Sequence, residues 1–263
     1  MIPLEVYFWN SLMRPIVYCI IIVFLGLGNG RSQIVNIENL RLQDREQGWT
    51  GMNNLNFAFT QNTQQIWQLG NTFRVSYTQK KHLFFIHSEI NFVKAGESDF
   101  VNDGFEHMRY NYALDDSSVF VLEAFKQMQF NKIQRIRLRS LYGGGIRINA
   151  IRQDSVNFTL GLTPMAEFED LTDNTLNRHL RLSMYLSFDM QFSKSFGINT
   201  ITYYQPDITY WKDYRMSHAT TLRTRINKYL SMTIIFNLTY DAFPPEGIPP
   251  SFWSLRNGLQ FRF

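Results

Sequence analysis

Residues 230–263 read LSMTIIFNLTY DAFPPEGIPP SFWSLRNGLQ FRF, and their alternation decides the fold. In the first run Leu230, Met232, Ile234, Phe236, Leu238 and Tyr240 share one parity, opposed by Ser231, Thr233, Asn237 and Thr239, with Ile235 the one apolar exception. In the second run Trp253, Leu255, Leu259, Phe261 and Phe263 oppose Ser254, Arg256, Gly258, Gln260 and Arg262, with Asn257 interrupting the apolar side. A period of two places apolar and polar side chains on opposite faces of a strand. Each run is about ten residues or more, which is the length at which a tilted strand crosses a hydrocarbon core. The pair is therefore read as the last hairpin of a membrane β-barrel.

Working outward, composition agrees. The chain of 263 residues carries 13 Tyr, 5 Trp and 23 Phe, an aromatic content of 16% that suits strands and interfacial girdles. Charged residues make up 18%, too many for a bundle of membrane helices, each of which needs about 20 apolar residues in a row. A barrel hides its membrane character because half of every strand is polar. Net charge is only +4, which gives no support to a nucleic-acid partner. The single cysteine, Cys19, excludes a disulfide or a thiolate metal site in the rest of the chain.

Residues 16–27 form a short apolar run after Arg14, followed by Gly28, Asn29, Gly30, Arg31 and Ser32. A positive residue, a short apolar core and small residues make a secretory signal peptide, here residues 1–32 with cleavage expected after Ser32. Met13 is an alternative start to Met1. A retained anchor helix is the rival, but the run is short for a span. Residues 33–47 are polar and read as a periplasmic lead-in to a barrel over residues 48–263.

Strand-like runs follow at 48–60, 65–79, 82–94, 105–114, 118–130, 135–150, 156–168, 177–192, 196–205 and 213–227, ahead of the final pair. The expectation is an all-β, closed antiparallel transmembrane barrel of about twelve strands, in a range of roughly 10–14. Strand 118–130 has one misfit, Lys126, on its apolar side. Connections at 95–104, 169–176, 206–212 and 243–250 are drawn as longer loops, each after an odd-numbered strand. Long loops on one side and short turns on the other are an outer-membrane pattern.

The parity opposite the apolar face carries Arg74, Glu89, His107, Arg109, Glu123, Arg135, Arg137, Arg139, Arg147, Glu167, Arg181, Asp189, Arg223, Arg225, Arg256 and Arg262. These are the candidates to line a lumen. Two readings stand: arginines lowering the energy of anions in a pore, or arginines and carboxylates filling the lumen as ion pairs.

Catalytic motifs are absent from the sequence. The histidines His82, His87, His107, His179 and His218 form no metal-binding pair at helical spacing, and no Gly-x-Ser-x-Gly elbow occurs. No cofactor or metal is implied. Gly143, Gly144 and Gly145 precede a strand rather than a helix, so they mark a bend or a close neighbour, not a phosphate loop.

Three segments resemble a known family. Arg135, Arg137 and Arg139 leading into Gly143-Gly144-Gly145, Tyr204-Gln205-Pro206 before Asp213-Tyr214-Arg215, and Tyr240-Asp241 with Pro244-Pro245 and Gly247-Ile248 are similar to domain of unknown function 481, which includes proteins called salt-induced outer membrane proteins. The resemblance covers residues 48–263. It implies an outer-membrane barrel and carries over no catalytic residues.

The functional expectation is an integral envelope protein, structural or passing small solutes with a lean toward anions, without chemistry. Its partners would be outer-membrane lipids, the barrel assembly machinery and small solutes. An outer-membrane lipid-modifying enzyme and a soluble periplasmic ligand-binding barrel are the alternatives. Leu259, Phe261 and Phe263 resemble the terminal signal read by the assembly machinery. Deleting Phe263 is expected to lower the amount of inserted protein more than the unfolding midpoint of the fraction that inserts. Normal membrane levels of the truncated chain would remove that role.

Overall fold

The computed structural model describes residues 47–61, 65–95, 98–114, 119–227 and 230–261. The proposed signal peptide and nearly all of the lead-in lie outside the described residues.

Twelve strands make one antiparallel sheet in sequence order. They are β1 (Gly48–Gln61), β2 (Gln65–Gln79), β3 (His82–Ala95), β4 (Ser98–Ala113), β5 (Phe120–Asn131), β6 (Ile136–Arg152), β7 (Val156–Leu171), β8 (Leu176–Gln191), β9 (Phe196–Pro206), β10 (Tyr214–Arg225), β11 (Leu230–Asp241) and β12 (Ser251–Phe261). Every run read from the alternation is a strand, because period-2 patterning is the signal that places a residue on one sheet face.

The loops differ from expectation. β4 begins at Ser98, so residues 95–104 are mostly strand, with a register shift at Val93/Lys94. β7 continues to Leu171, which shortens the next connection to residues 172–175. Only residues 207–213 and 242–250 remain longer than the other connections, so the regular alternation of long and short loops is lost. Mixed polar sequence in residues 98–104 and 169–171 hid these strand ends.

The sheet is strongly curled. Flat sheet geometry would hold β7 and β10 about 14 Å apart, three strand spacings. Yet Arg215 of β10 contacts both Glu167 and Glu169 of β7. Likewise Tyr185 of β8 donates to Glu123 of β5 at 3.0 Å, and Arg135 reaches the Glu246 carbonyl at 2.8 Å. Side chains thus meet across a concave interior.

Its sidedness is inverted relative to a water-soluble sheet. β5 buries Glu123, Gln127, Gln129 and Asn131 while exposing Phe120, Leu122 and Phe130. β7 and β8 bury Thr163, Glu167, Glu169, Arg181, Ser183 and Ser187 while exposing Leu162, Phe168, Leu180 and Leu186. A small apolar cluster, Tyr185, Ile201, Tyr203 and Ala219, packs within the concave side. Lys126 keeps to the outward face, its ammonium 5.9 Å from the Tyr142 ring centre, so its charge has a π-face beside it. The glycine run sits where neighbours crowd: a Cβ on Gly143 would lie 2.5 Å from the Phe125 ring, and one on Gly145 would meet the Leu162 carbonyl.

Candidate functional site: a buried charge network

The interior at the end of the loops 207–213 and 242–250 is occupied by charge. Antiparallel pairing sets Glu169 of β7 opposite Arg139 of β6, and Glu167, two residues before it, diagonal to Arg139 on one side and to Arg181 of β8 on the other. Pairing of β10 with β11 sets Arg215 opposite Asp241. Arg181 Nε lies 2.6 Å from Glu167 Oε2, and its Nη2 lies 3.0 Å from Asp213 Oδ1. Its Nη1 donates to the carbonyls of Gln205 and Asp213. Arg139 holds Glu167 at 3.1 Å and Glu169 at 2.9 Å. Arg215 holds Asp241 at 2.7 Å, Glu169 at 2.9 Å and also Glu167. Glu167 is thereby shared by three guanidinium groups and is 1% exposed. Buried charges persist only when paired and hydrogen-bonded in this way.

A second, smaller set lies deeper. Arg109 Nη1 is 3.3 Å from Glu123 Oε2, and Arg147 is 4.0 Å from the other oxygen. Arg109 Nε also donates to His107 Nε2 at 3.0 Å, and His107 meets Gln127 at 3.1 Å. Tyr185 can cross to Glu123 because Gly161 lies beneath its ring, where any Cβ would collide. The space between the two sets is about 40 Å³, room for a few waters at most. This side of the interior is packed.

The sequence candidates divide by position. Arg74, Arg109, Glu123, Arg139, Glu167 and Arg181 are buried on the concave face, and so is His107. Glu89, Arg147 and Asp189 are half-buried there. Arg223 and Arg225 keep the inward parity of β10 but are exposed at its end. Arg137 is set apart: the register shift between Ile136 and Leu138 takes it off the buried face. Its side chain is 48% exposed and pairs with Asp170 at 3.3 Å. Arg135 is a turn residue with φ 56° rather than part of a strand. The side chains of Arg256, Leu259 and Phe261 lie outside the described residues, as do Arg262 and Phe263.

Sequence reading missed Glu169, Asp213, Arg215 and Asp241. Glu169 had been assigned to a loop, and Asp241 follows the last alternating residue of its run. Arg215 shares parity with Arg223 and Arg225, and that signal could have found it.

Beside the network, His179 Nδ1 lies 2.7 Å from Asp207 Oδ2 and 3.7 Å from Asp213. Burial alone would raise the Asp207 pKa. Donation from the Thr209 hydroxyl, His179 and the Thr209 and Tyr210 amides prevails and lowers it to about 2. The three ligand-type atoms lie within 4.8 Å of one another. Their lone pairs already accept from Thr209, Tyr210, His179 and Arg181, so the cluster is satisfied as a hydrogen-bonded corner.

Fold and interior together define a class: an all-β antiparallel protein of twelve strands whose sheet is polar within and apolar without. The chain belongs to the family described as "Protein of unknown function, DUF481", whose model matches residues 54–263. No curated protein matches it. Among solved structures it is similar to the NanC porin in a rhombohedral crystal form, at 12% identity and a TM-score of 0.48, covering 74% of this chain and 94% of that one. It is also similar to the KdgM porin in complex with disordered oligogalacturonate, at 14% identity and a TM-score of 0.44, covering 81% and 99%.

Proposed function

We propose that the protein is an outer-membrane β-barrel, closed by pairing of β12 with β1, that passes small solutes and performs no chemistry. The observation that carries this reading is the inverted sidedness. Large apolar side chains such as Leu55 (67% exposed), Leu186 (53%) and Leu255 (59%) recur along the outward parity of strand after strand. Water tolerates no such belt on a monomer, whereas lipid requires one. Closure follows from the same solvent argument: an open edge in lipid leaves a row of N–H and C=O groups unpaired. A secretory signal over residues 1–32 would deliver the chain to that membrane.

The sidedness argues against a soluble ligand-binding barrel, which would hold apolar groups inside. It also bears on selectivity. Arg139, Arg181 and Arg215 are spent on Glu167, Glu169, Asp213 and Asp241, so that band offers no free ring of positive charge. An anion preference would come instead from Arg223 and Arg225 toward the opposite end, exposed at the end of β10. A lipid-modifying enzyme finds less support. His218 bridges the hydroxyls of Thr202 and Thr220, each at 2.9 Å, on the outward face, but no carboxylate orients it among the described residues. The pairing satisfies these polar groups where lipid would otherwise face them.

Purified protein in planar bilayers is expected to give small, ohmic single-channel steps. The Arg223→Ala/Arg225→Ala variant is expected to shift the reversal potential in a salt gradient away from anion preference. A silent barrel would remove the solute-passage reading, and an unchanged reversal potential would remove the role of these two arginines.

A further inference from the structure

Two charges interrupt the apolar belt. Glu106 lies midway along β4 and Lys126 midway along β5, both with outward parity. They stand one register step apart: Glu106 is opposite Met128, and Lys126 is opposite Met108. Yet they do not pair with each other. Lys126 is exposed and leans the other way, onto Tyr142, its partner on β6. The Glu106 carboxylate meets no cation and accepts no hydrogen bond among the described residues. Ser88 of β3 is opposite Glu106 and Ser140 of β6 is opposite Met128, so the outward row through Glu106 is polar at both ends. The belt then resumes, with Ile90 and Phe130 toward one end of the strands and Phe84 and Tyr110 toward the other.

Lipid has nothing to offer these groups. Tyr110, whose hydroxyl meets His82 at 2.7 Å beside the turn at Lys80 and Lys81, marks the nearer membrane interface. With a rise of about 3.4 Å per residue and a tilt of about 45°, Glu106 lies about 10 Å deeper, farther than its side chain reaches. A charged side chain at such depth faces protein or a wet cavity.

We propose that this face, from β3 to β6, is the contact between two copies of the chain, with Glu106 of each copy paired to Lys126 of the other. Opposite charges side by side are self-complementary under a two-fold axis, because the rotation lays each over its opposite. Copies inserted with the same polarity share an axis along the membrane normal, which pairs groups at one height. Glu106 and Lys126 meet that condition. With strands coiling right-handedly, the two-residue step along β4 and the one-strand step to β5 change height in opposite senses. They leave a height difference of about 1–2 Å over a lateral separation of about 8 Å. Ala124 and Gly144, exposed and opposite each other beside Lys126, leave a notch in which two such faces approach closely. Each copy keeps its own interior, so pairing requires that the outward side face lipid, not that solute pass.

The test is sedimentation equilibrium of the full-length protein in density-matched detergent micelles. Wild type is expected to sediment as a dimer. Glu106→Lys alone and Lys126→Glu alone each set like charges together twice and are expected to weaken dimerisation about tenfold or more. Lys126→Met, a change that suits lipid, is expected to weaken it as well. An equimolar mixture of the two charge-reversed variants is expected to dimerise as wild type does, since each copy supplies the charges the other lacks. That rescue separates the contact from a Glu106–Lys126 pair within one copy, which mixing cannot restore, and shows that both variants fold. A monomeric wild type, a Lys126→Met variant that dimerises like wild type, or a mixture no better than its components would each overturn the assignment. A monomeric wild type that still inserts into vesicles would remove the dimer and leave the membrane reading.

Discussion

Glu167→Ala is expected to destabilise the folded protein by about 3–5 kcal/mol, read as a lowered midpoint of urea unfolding in lipid vesicles. The reason is the number of partners that lose their counter-charge. Arg139, Arg181 and Arg215 all converge on this one carboxylate, and their side chains are no more than 6% exposed. Removal leaves three guanidinium groups to share Glu169, Asp213 and Asp241, none of which touches all three. A buried charge left short of its partner costs far more than the intact pair contributes. Glu167→Gln keeps the volume but not the charge, so it is expected to lie close to the alanine variant. Arg137→Ala provides the contrast. Its pair with Asp170 is open to solvent, 48% and 30% exposed, and such pairs contribute about 0–1 kcal/mol. If Glu167→Ala cost no more than Arg137→Ala, the network would be incidental to stability.

The same network marks where sequence reading succeeds and where it stops. Alternation is a local property, and it located all twelve strands, including Phe196–Pro206, whose pattern is among the least regular. Parity then placed Glu123, Glu167, Arg139 and Arg181 on the buried face, since inward and outward side chains are fixed once a strand is recognised. What parity cannot report is which charges meet. The contact of Arg215 with Glu167 joins residues 48 positions apart, on strands that are not neighbours. It exists only because the sheet curls. Nor can alternation survive an inserted residue. The register shift at Ile136/Leu138 turned Arg137 away from the face that its spacing from Arg139 implied. Strand ends were the remaining loss. Glu169 and Asp241 sit where the apolar parity has run out but the ladder has not, so Glu169 reads as a loop residue and Asp241 falls just past the last alternating residue of its run.

Leu186→Arg is the substitution that separates a membrane barrel from a soluble one. Leu186 lies within β8, directly opposite Leu160 on β7 and Thr202 on β9, and is 53% exposed. In water, replacing a half-exposed leucine by arginine is close to neutral, within about 0.5 kcal/mol, because the charge is solvated at once. In a bilayer the same charge faces hydrocarbon, at a cost of about 2–4 kcal/mol near the midplane. The expected result is a matching loss of unfolding free energy in vesicles, with less inserted protein. Inward substitution gives the internal control. Ser187, the next residue, is 8% exposed on the concave face, and Ser187→Thr adds a methyl group there without touching the lipid side. It is expected to insert normally. Equal stability of Leu186→Arg and wild type in vesicles would mean that the apolar face is covered by something other than lipid, and the outer-membrane reading would fall with it.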